Sequence, residues 1–219
     1  MKVLAVSDFH GSLDASKRVS LKAEKVNADV VVISGDITHF GSVQSAKELF
    51  SPLLKLKMPI FFVPGNCDPP SLAEINLKGA FCIHGSCETY GNAMFVGVGG
   101  GPPSPFKTPF EMTEDEIMQV LNQSFGQCQP KQWLILVSHT PPKNTKLDAA
   151  FSGEHVGSLS VRRYIEDKQP SIVFCGHIHE ARGIDSIGNT VVVNSGPARH
   201  RQCAVVNLNE KIEVQLDHL

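Results

Sequence analysis

Short apolar runs alternate along this chain with amphipathic stretches, and the alternation predicts most of its elements. Residues 2–7 form a first strand candidate, followed by a helix over 12–27. Residues 29–34, Asp-Val-Val-Val-Ile-Ser, are a continuous apolar run typical of a strand buried on both faces. A second helix is expected over 42–56 and a third strand over 60–63. This β-α-β-α-β order implies a parallel sheet.

The middle of the chain changes rhythm. Strand candidates at 81–90 and 93–97 flank Gly91-Asn92, a turn signal, and the Gly- and Pro-rich residues 99–109 fit only a surface loop. Thr113 caps a further helix, with Glu116 completing a capping box. A buried strand at 133–138, a second loop at 141–157, a helix at 158–168 and a last strand of parallel type at 171–175 follow. Strand candidates at 190–194, 203–207 and 211–216 have short connections, which favours an antiparallel meander. No repeat, low-complexity segment or linker interrupts the pattern, so residues 1–219 are expected to form one α/β domain.

Composition narrows the partners more than the fold. Hydrophobic residues make up 42% of the chain and charged residues 19%, which excludes global disorder. A net charge of −2 argues against extended nucleic acid, which needs a basic face. A small phosphorylated substrate is compatible with it, because bound cations supply positive charge locally. The N-terminal apolar run breaks at Asp8, too early for a signal peptide, and no stretch reaches the roughly 18 apolar residues of a membrane helix. Cysteines 67, 82, 87, 128, 175 and 203 are scattered without C-x-x-C spacing, so reduced thiols and a cytoplasmic location are expected.

The chemistry lies where the strand candidates end. Asp8 and His10 stand in Ser-Asp-Phe-His, Asp36 in Ser-Gly-Asp and Asn66 in Gly-Asn-Cys-Asp. His139 follows in Val-Ser-His, and His177 and His179 in Cys-Gly-His-Ile-His. Taken singly, most have an ordinary explanation: an Asp after a strand is often a helix cap, and Gly-Asn is often a turn. Together they put oxygen and imidazole donors at the ends of several strands, which is how a parallel sheet assembles one site from distant sequence. Residues two apart on an extended chain share a face, so Asp8 with His10, and His177 with His179, are each expected to grip one ion. The donor set, free of thiolate, suits Mn²⁺, Fe²⁺/³⁺, Co²⁺ or Zn²⁺, with manganese favoured. Two such ions serve an in-line displacement at phosphorus.

As an ordered set these residues resemble the motif series D-x-H, G-D, G-N-H-[DE], H and G-H-x-H of the calcineurin-like metallophosphoesterase family, across residues 8–179. The resemblance implies a four-layer αββα sandwich, two mixed β-sheets face to face with helices outside both. It implies one ion on Asp8, His10, Asp36 and His179 and a second on Asp36, Asn66, His139 and His177, with Asp36 as the bridge. It also implies hydrolysis of a small phosphorylated substrate by in-line attack of a hydroxide shared between the two ions.

Cys67 departs from that series, standing where the family has a His that, paired with the following acid (here Asp68), protonates the leaving group and contacts phosphate. A thiol is smaller, uncharged and a weak hydrogen-bond donor. Losing an imidazolium penalises a doubly charged monoester more than a singly charged diester, so phosphodiesters are the expected substrates. Cys67 and Asp68 remain the catalytic candidates. Of the other imidazoles, His39 is expected near the site as an acid or an outer partner, and His155 as a substrate contact beside Asn66 or as a loop residue. His84 reads as a surface residue. The loops 99–109 and 141–157 are expected to wall a cleft, with Phe106, Phe110 and Phe151 available for stacking. Two other readings compete: a non-catalytic metal-binding scaffold of the same fold, disfavoured because all seven ligands are present, and a nuclease acting on short nucleic acids. No membrane contact is expected, and a homo-oligomer is left open.

Overall fold

Every residue of strand β2 (Val30–Ser34) is buried, and its side chains divide between two cores. Val31 and Ile33 point into one apolar cluster, Val30 and Val32 into another. That division places a second layer on each face of the sheet, as the continuous apolar run requires. The computed structural model describes residues 1–219.

The first sheet has the order β12-β11-β1-β2-β3-β4, built from Lys2–Val6 (β1), β2, Ile60–Val63 (β3), Ala80–Cys82 (β4), Gln202–Leu208 (β11) and Ile212–His218 (β12). The second has the order β5-β6-β7-β8-β10-β9, from Cys87–Tyr90 (β5), Ala93–Val98 (β6), Trp133–Ser138 (β7), Ile172–Cys175 (β8), Gly183–Ile187 (β9) and Thr190–Asn194 (β10). Helices Leu13–Val26 (α1) and Val43–Phe50 (α2) pack into the cluster outside the first sheet. Helices Glu114–Phe125 (α3) and Leu159–Lys168 (α4) do the same for the second. Between the sheets lies the third cluster, in which Phe61 and Phe95 meet at 4.6 Å. The result is the expected four-layer sandwich, with β1, β2, β3 and β4 parallel in one sheet and β6, β7, β8 and β10 parallel in the other.

Local signals were sound where a cap defined them. Ser12 accepts the Ala15 N–H to begin α1, Ser158 accepts the Val161 N–H to begin α4, and the Thr113–Glu116 capping box begins α3. The helix expected over 42–56 stops at Phe50 and resumes as a short 3₁₀ turn at Leu53–Lys55, because Pro52 cannot continue the α ladder. The single strand expected over 81–90 is two. After Cys82 the chain turns through His84 and Gly85, so that β4 edges the first sheet and β5 the second. The tail is not one meander either. β9 and β10 form a hairpin in the second sheet, with β10 parallel to β8, whereas β11 and β12 pair antiparallel beside β1 in the first.

One cysteine expectation is corrected. Cys87 and Cys128 are joined in a disulfide across 41 residues of sequence, with Cα atoms 6.1 Å apart, while the other four cysteines are free. The pair is brought together by the fold, one at an edge strand and one after α3, so spacing could not reveal it. The reduced-thiol argument for a cytoplasmic location falls with it. No helix is long and apolar enough to cross a membrane.

Candidate metal centre

The donors gather at the C-terminal ends of five parallel strands, three from one sheet and two from the other. Asp8 and His10 follow β1, Asp36 follows β2, Asn66 follows β3, His139 follows β7, and His177 and His179 follow β8. Hydrogen bonds tie the loops at neighbouring strand ends within each sheet, and others cross between the sheets. Asp8 N–H donates to Gly35 O (3.0 Å), His10 N–H to Asp36 O (2.9 Å) and Gly176 N–H to His139 O (3.1 Å). His177 N–H donates to Asp8 Oδ2 at 3.1 Å, across the seam between the two sheets.

The side chains do not converge by strand alternation as expected. Asp8 (φ 56°), His10 (φ 45°), Asp36 (φ 52°) and His177 (φ 67°) all have left-handed backbone. Strain of this kind persists only where surrounding structure over-determines it, and it collects at functional sites. Two glycines allow the approach. A Cβ on Gly65 would meet Asp36 Oδ1, and one on Gly176 would meet Ser7 Oγ and Asp8 Oδ2.

The distances are those of ligands sharing an ion. His10 Nε2 lies 3.1 Å from His179 Nε2 and 3.5 Å from Asp36 Oδ2. His179 Nε2 stands 3.3 Å from Asp8 Oδ1, and His139 Nε2 3.5 Å from Asp36 Oδ1. Donor atoms bound to one ion at about 2.1 Å stand about 3.0–3.5 Å apart, so these spacings fit.

Two details test that fit independently. Asp8 Oδ1 is a buried acceptor without a hydrogen-bond donor, since His179 Nε2 is close but not aligned as one. His139 Nδ1 donates to Ser34 O at 2.7 Å, which fixes the ring with Nε2 beside Asn66 Oδ1 at 2.8 Å, so two of the expected donor atoms already stand together. Asp8, His10 and His179 form one compact donor group, and Asp8, Asp36 and His139 another. His177 is placed beside them by ring packing on His139, centroids 5.0 Å apart.

The electrostatics agree. Burial, reinforced by Asp8 and Asp68, pushes Asp36 up to about 7 despite the pull of His139. Burial also opposes ionisation of Asp8, but contact with His179 and the field of His139 outweigh it and hold that carboxyl below its ordinary range. Burial lowers His10 to about 4 and His177 to about 3, so both rings are neutral near pH 7 and free to ligate. Packed carboxylates and neutral imidazoles, with no buried lysine or arginine among them, form a site for cations.

The remaining candidates separate. Cys67 is 8% exposed beside the cluster, and its backbone N–H donates to Asp36 Oδ1 at 2.8 Å. Burial and the nearby Asp36 carboxylate push its thiol far above the usual range, so it stays a neutral group. Asp68, a catalytic candidate as the acid paired with position 67, has both oxygens engaged by neighbouring groups. It is fully buried, accepting the N–H groups of Ile37, Thr38 and Gly65 and the Thr38 hydroxyl at 2.6–3.0 Å. It braces the Gly-Asp turn against the Gly-Asn-Cys-Asp turn. His39 is exposed, with Nδ1 3.2 Å from His10 Nδ1, an outer partner of a donor.

A cleft of about 680 Å³ opens beside the cluster, lined by Asn66 and His177 on one side and by both long loops on the other. Phe106 and Phe151 are 84% and 92% exposed in its walls, whereas Phe110 packs on His84. His84 is not a surface residue: its Nδ1 accepts the Gly99 N–H at 2.9 Å, anchoring the first loop. The second loop is tied to the cluster by Glu180, next to His179, whose Oε1 accepts the Phe151 N–H at 2.9 Å. No sequence motif marked Glu180, because its role depends on a contact 29 residues away. His155 also lines the cleft, with Nδ1 2.8 Å from Asp148 Oδ1.

Comparison with known proteins points one way. The sequence model of the calcineurin-like phosphoesterase family matches residues 1–181. An uncharacterized protein of Methanocaldococcus jannaschii is 41% identical over 203 residues, covering 90% of this chain and 88% of that protein. A probable cyclic nucleotide phosphodiesterase of Vesicomyosocius okutanii is 28% identical over 80% of this chain and 73% of its own length. Among solved structures, TT1561 of Thermus thermophilus superposes with a TM-score of 0.77 over 98% of each chain, at 19% identity.

Proposed function

The chain belongs to the calcineurin-like phosphoesterase family, and within it we propose a dinuclear metal-dependent hydrolase that favours phosphodiesters. The observation that carries the dinuclear reading is the placing of Asp36, whose Oδ2 stands 3.5 Å from His10 Nε2 and whose Oδ1 stands 3.5 Å from His139 Nε2, one oxygen beside each donor group. One ion would be held by Asp8, His10, Asp36 and His179, the second by Asp36, Asn66, His139 and His177. When bound, such ions supply Lewis acidity and a water that ionises near neutral pH.

The protein's own groups do the rest. Asp68 and the glycine turns hold Asp36 and Asn66 at fixed separation. The Cys67 thiol, kept protonated, adds no positive charge at the position beside the cluster. A phosphodiester carries one negative charge and needs less compensation there than a monoester. The relative named a probable cyclic nucleotide phosphodiesterase supports the diester reading.

Matched aryl phosphodiester and phosphomonoester substrates, assayed with Mn²⁺ on the parent and on Cys67→His, test it. The parent should turn over the diester faster, and Cys67→His should move the ratio toward the monoester. A parent that prefers the monoester sinks the diester reading. Two bound ions with no turnover of any ester would favour the scaffold alternative.

A further inference from the structure

Cys67 puts no imidazole at the motif's proton-donor position, and His39, held against His10 Nδ1 at 3.2 Å, does not line the cleft, so an acid for the leaving group has to come from elsewhere in it. The loop between β7 and α4 carries one. Asp148 is completely buried, and each of its oxygens accepts backbone N–H groups: Thr145 on Oδ1 at 2.8 Å, Asn144 and Gly157 on Oδ2 at 3.0 and 3.1 Å. Burial opposes its charge, but the His155 hydrogen bond and these backbone donors outweigh it, so Asp148 is a carboxylate and an acceptor only. His155 Nδ1, 2.8 Å from Asp148 Oδ1, must therefore be the donor in that bond. This fixes the ring and leaves Nε2 as its free atom. The ring belongs to the same cleft as Asn66 and His177, and its side chain is 42% exposed, open to proton exchange with solvent.

We propose that His155 is the general acid of this phosphoesterase, with Asp148 as its positioning residue. The inference rests on the hydrolase reading above. As the incoming oxygen bonds to phosphorus, the bond from phosphorus to the leaving oxygen breaks and its electron pair stays on that oxygen. The leaving oxygen takes the proton from His155 Nε2. The ring returns to neutral with Nδ1–H still on Asp148, and solvent restores the proton at Nε2. The loop is stiff enough to hold such a group. Ala149 and His155 form an antiparallel bridge, Ser158 N–H donates to Pro141 O at 2.9 Å, and Glu180 holds Phe151.

His155→Asn is the decisive variant, because an asparagine amide can occupy the Nδ1 position and donate to Asp148 while placing nothing at Nε2. With the Mn²⁺-loaded protein, two phosphodiesters differing only in leaving group, p-nitrophenolate or a simple alkoxide, are compared. The expected result is a fall in kcat of about 100-fold or more on the alkoxide ester, and a change within about threefold on the p-nitrophenyl ester, which needs no acid. The basic limb of the pH profile should also disappear for the alkoxide ester alone. His155→Gln, which loses the Asp148 bond too, should show the same leaving-group split together with a lower melting temperature. Equal losses on both esters would make His155 a loop strut and overturn the proposal, as would no loss on either. If the parent turns over neither ester, the hydrolase reading itself fails and this inference fails with it.

Discussion

Asp68 Oδ1 accepts the backbone N–H of Thr38 at 2.6 Å across 30 residues of sequence, and through it the turns bearing Asp36 and Asn66 are one rigid piece. Asp68→Asn would place an amide NH₂ against backbone N–H groups that now find a carboxylate. A loss of roughly 2–3 kcal/mol is expected, from buried donors left unanswered. Mn²⁺ affinity should weaken by about 10- to 100-fold, as when the supports of metal ligands are removed. Chemical denaturation and calorimetric Mn²⁺ titration check the two halves.

Asp36→Asn should separate stability from function. The Asp36 carboxyl is pushed up to about 7 from an unfolded value of 3.8. A raised acid stabilises the folded state below its unfolded pKa and loses that contribution as pH rises through its folded pKa. The metal-free variant should therefore melt higher than the metal-free parent at pH 8, by roughly 1–3 kcal/mol, with the gap closing toward pH 4. The same variant should no longer be stabilised by Mn²⁺, and hydrolysis should be lost. A variant that melts lower at pH 8 would refute the charge argument.

Metal affinity itself should depend on pH in one direction. Protons on Asp36 and on His179, which contact with Asp8 raises above its ordinary value, must leave before cations can take their place, whereas His10 and His177, lowered to about 4 and 3, are neutral throughout. Mn²⁺ affinity should rise by about ten- to a hundredfold per pH unit between pH 5.5 and 7, with proton release on binding. Calorimetry in buffers of different ionisation enthalpy measures both. A flat profile would show that Asp36 is already ionised and His179 already neutral in the free protein.

Gly176→Ala is expected to disturb the centre without touching a ligand. The added methyl has no room beside Ser7 Oγ and Asp8 Oδ2. Overpacking of this kind costs about 1–3 kcal/mol. Because Asp8 must shift, the Mn²⁺-induced rise in melting temperature should shrink more than the metal-free melting temperature falls. Thermal melts with and without Mn²⁺ decide it.

The legible part of this molecule was what short stretches decide for themselves. The doubly buried run of β2, the caps at Ser12, Thr113 and Ser158, and the polar residues at strand ends all carry their meaning locally. What stayed hidden depends on which sheet a segment joins. Residues 81–90 look like one strand because both halves are suitably apolar, and only the turn at His84 and Gly85 sends them to different sheets. The Cys87–Cys128 bond and the tether from Glu180 to Phe151 have no signature in spacing. Asp68 was misjudged for a related reason: its place in the motif suggested chemistry, whereas four donors around it leave only a bracing role. The site residues were found by type, but their convergence through left-handed backbone was not readable from alternation.

The seam between the sheets has a consequence for how the protein breathes. Asp8, Asp36 and Asn66 ride on one sheet, His139 and His177 on the other, so a cation gripping both sets acts as a rivet between two halves of the sandwich. Without it, these residues hold across the rim through bonds such as His177 N–H to Asp8 Oδ2 and His139 Nδ1 to Ser34 O, and local opening should begin there. Amide hydrogens at His10, Gly176 and His177 should exchange faster in the metal-free protein than those in the middle of β2. Loading with Mn²⁺ should slow them together, which would make the rim a gauge of occupancy that can be read without any substrate.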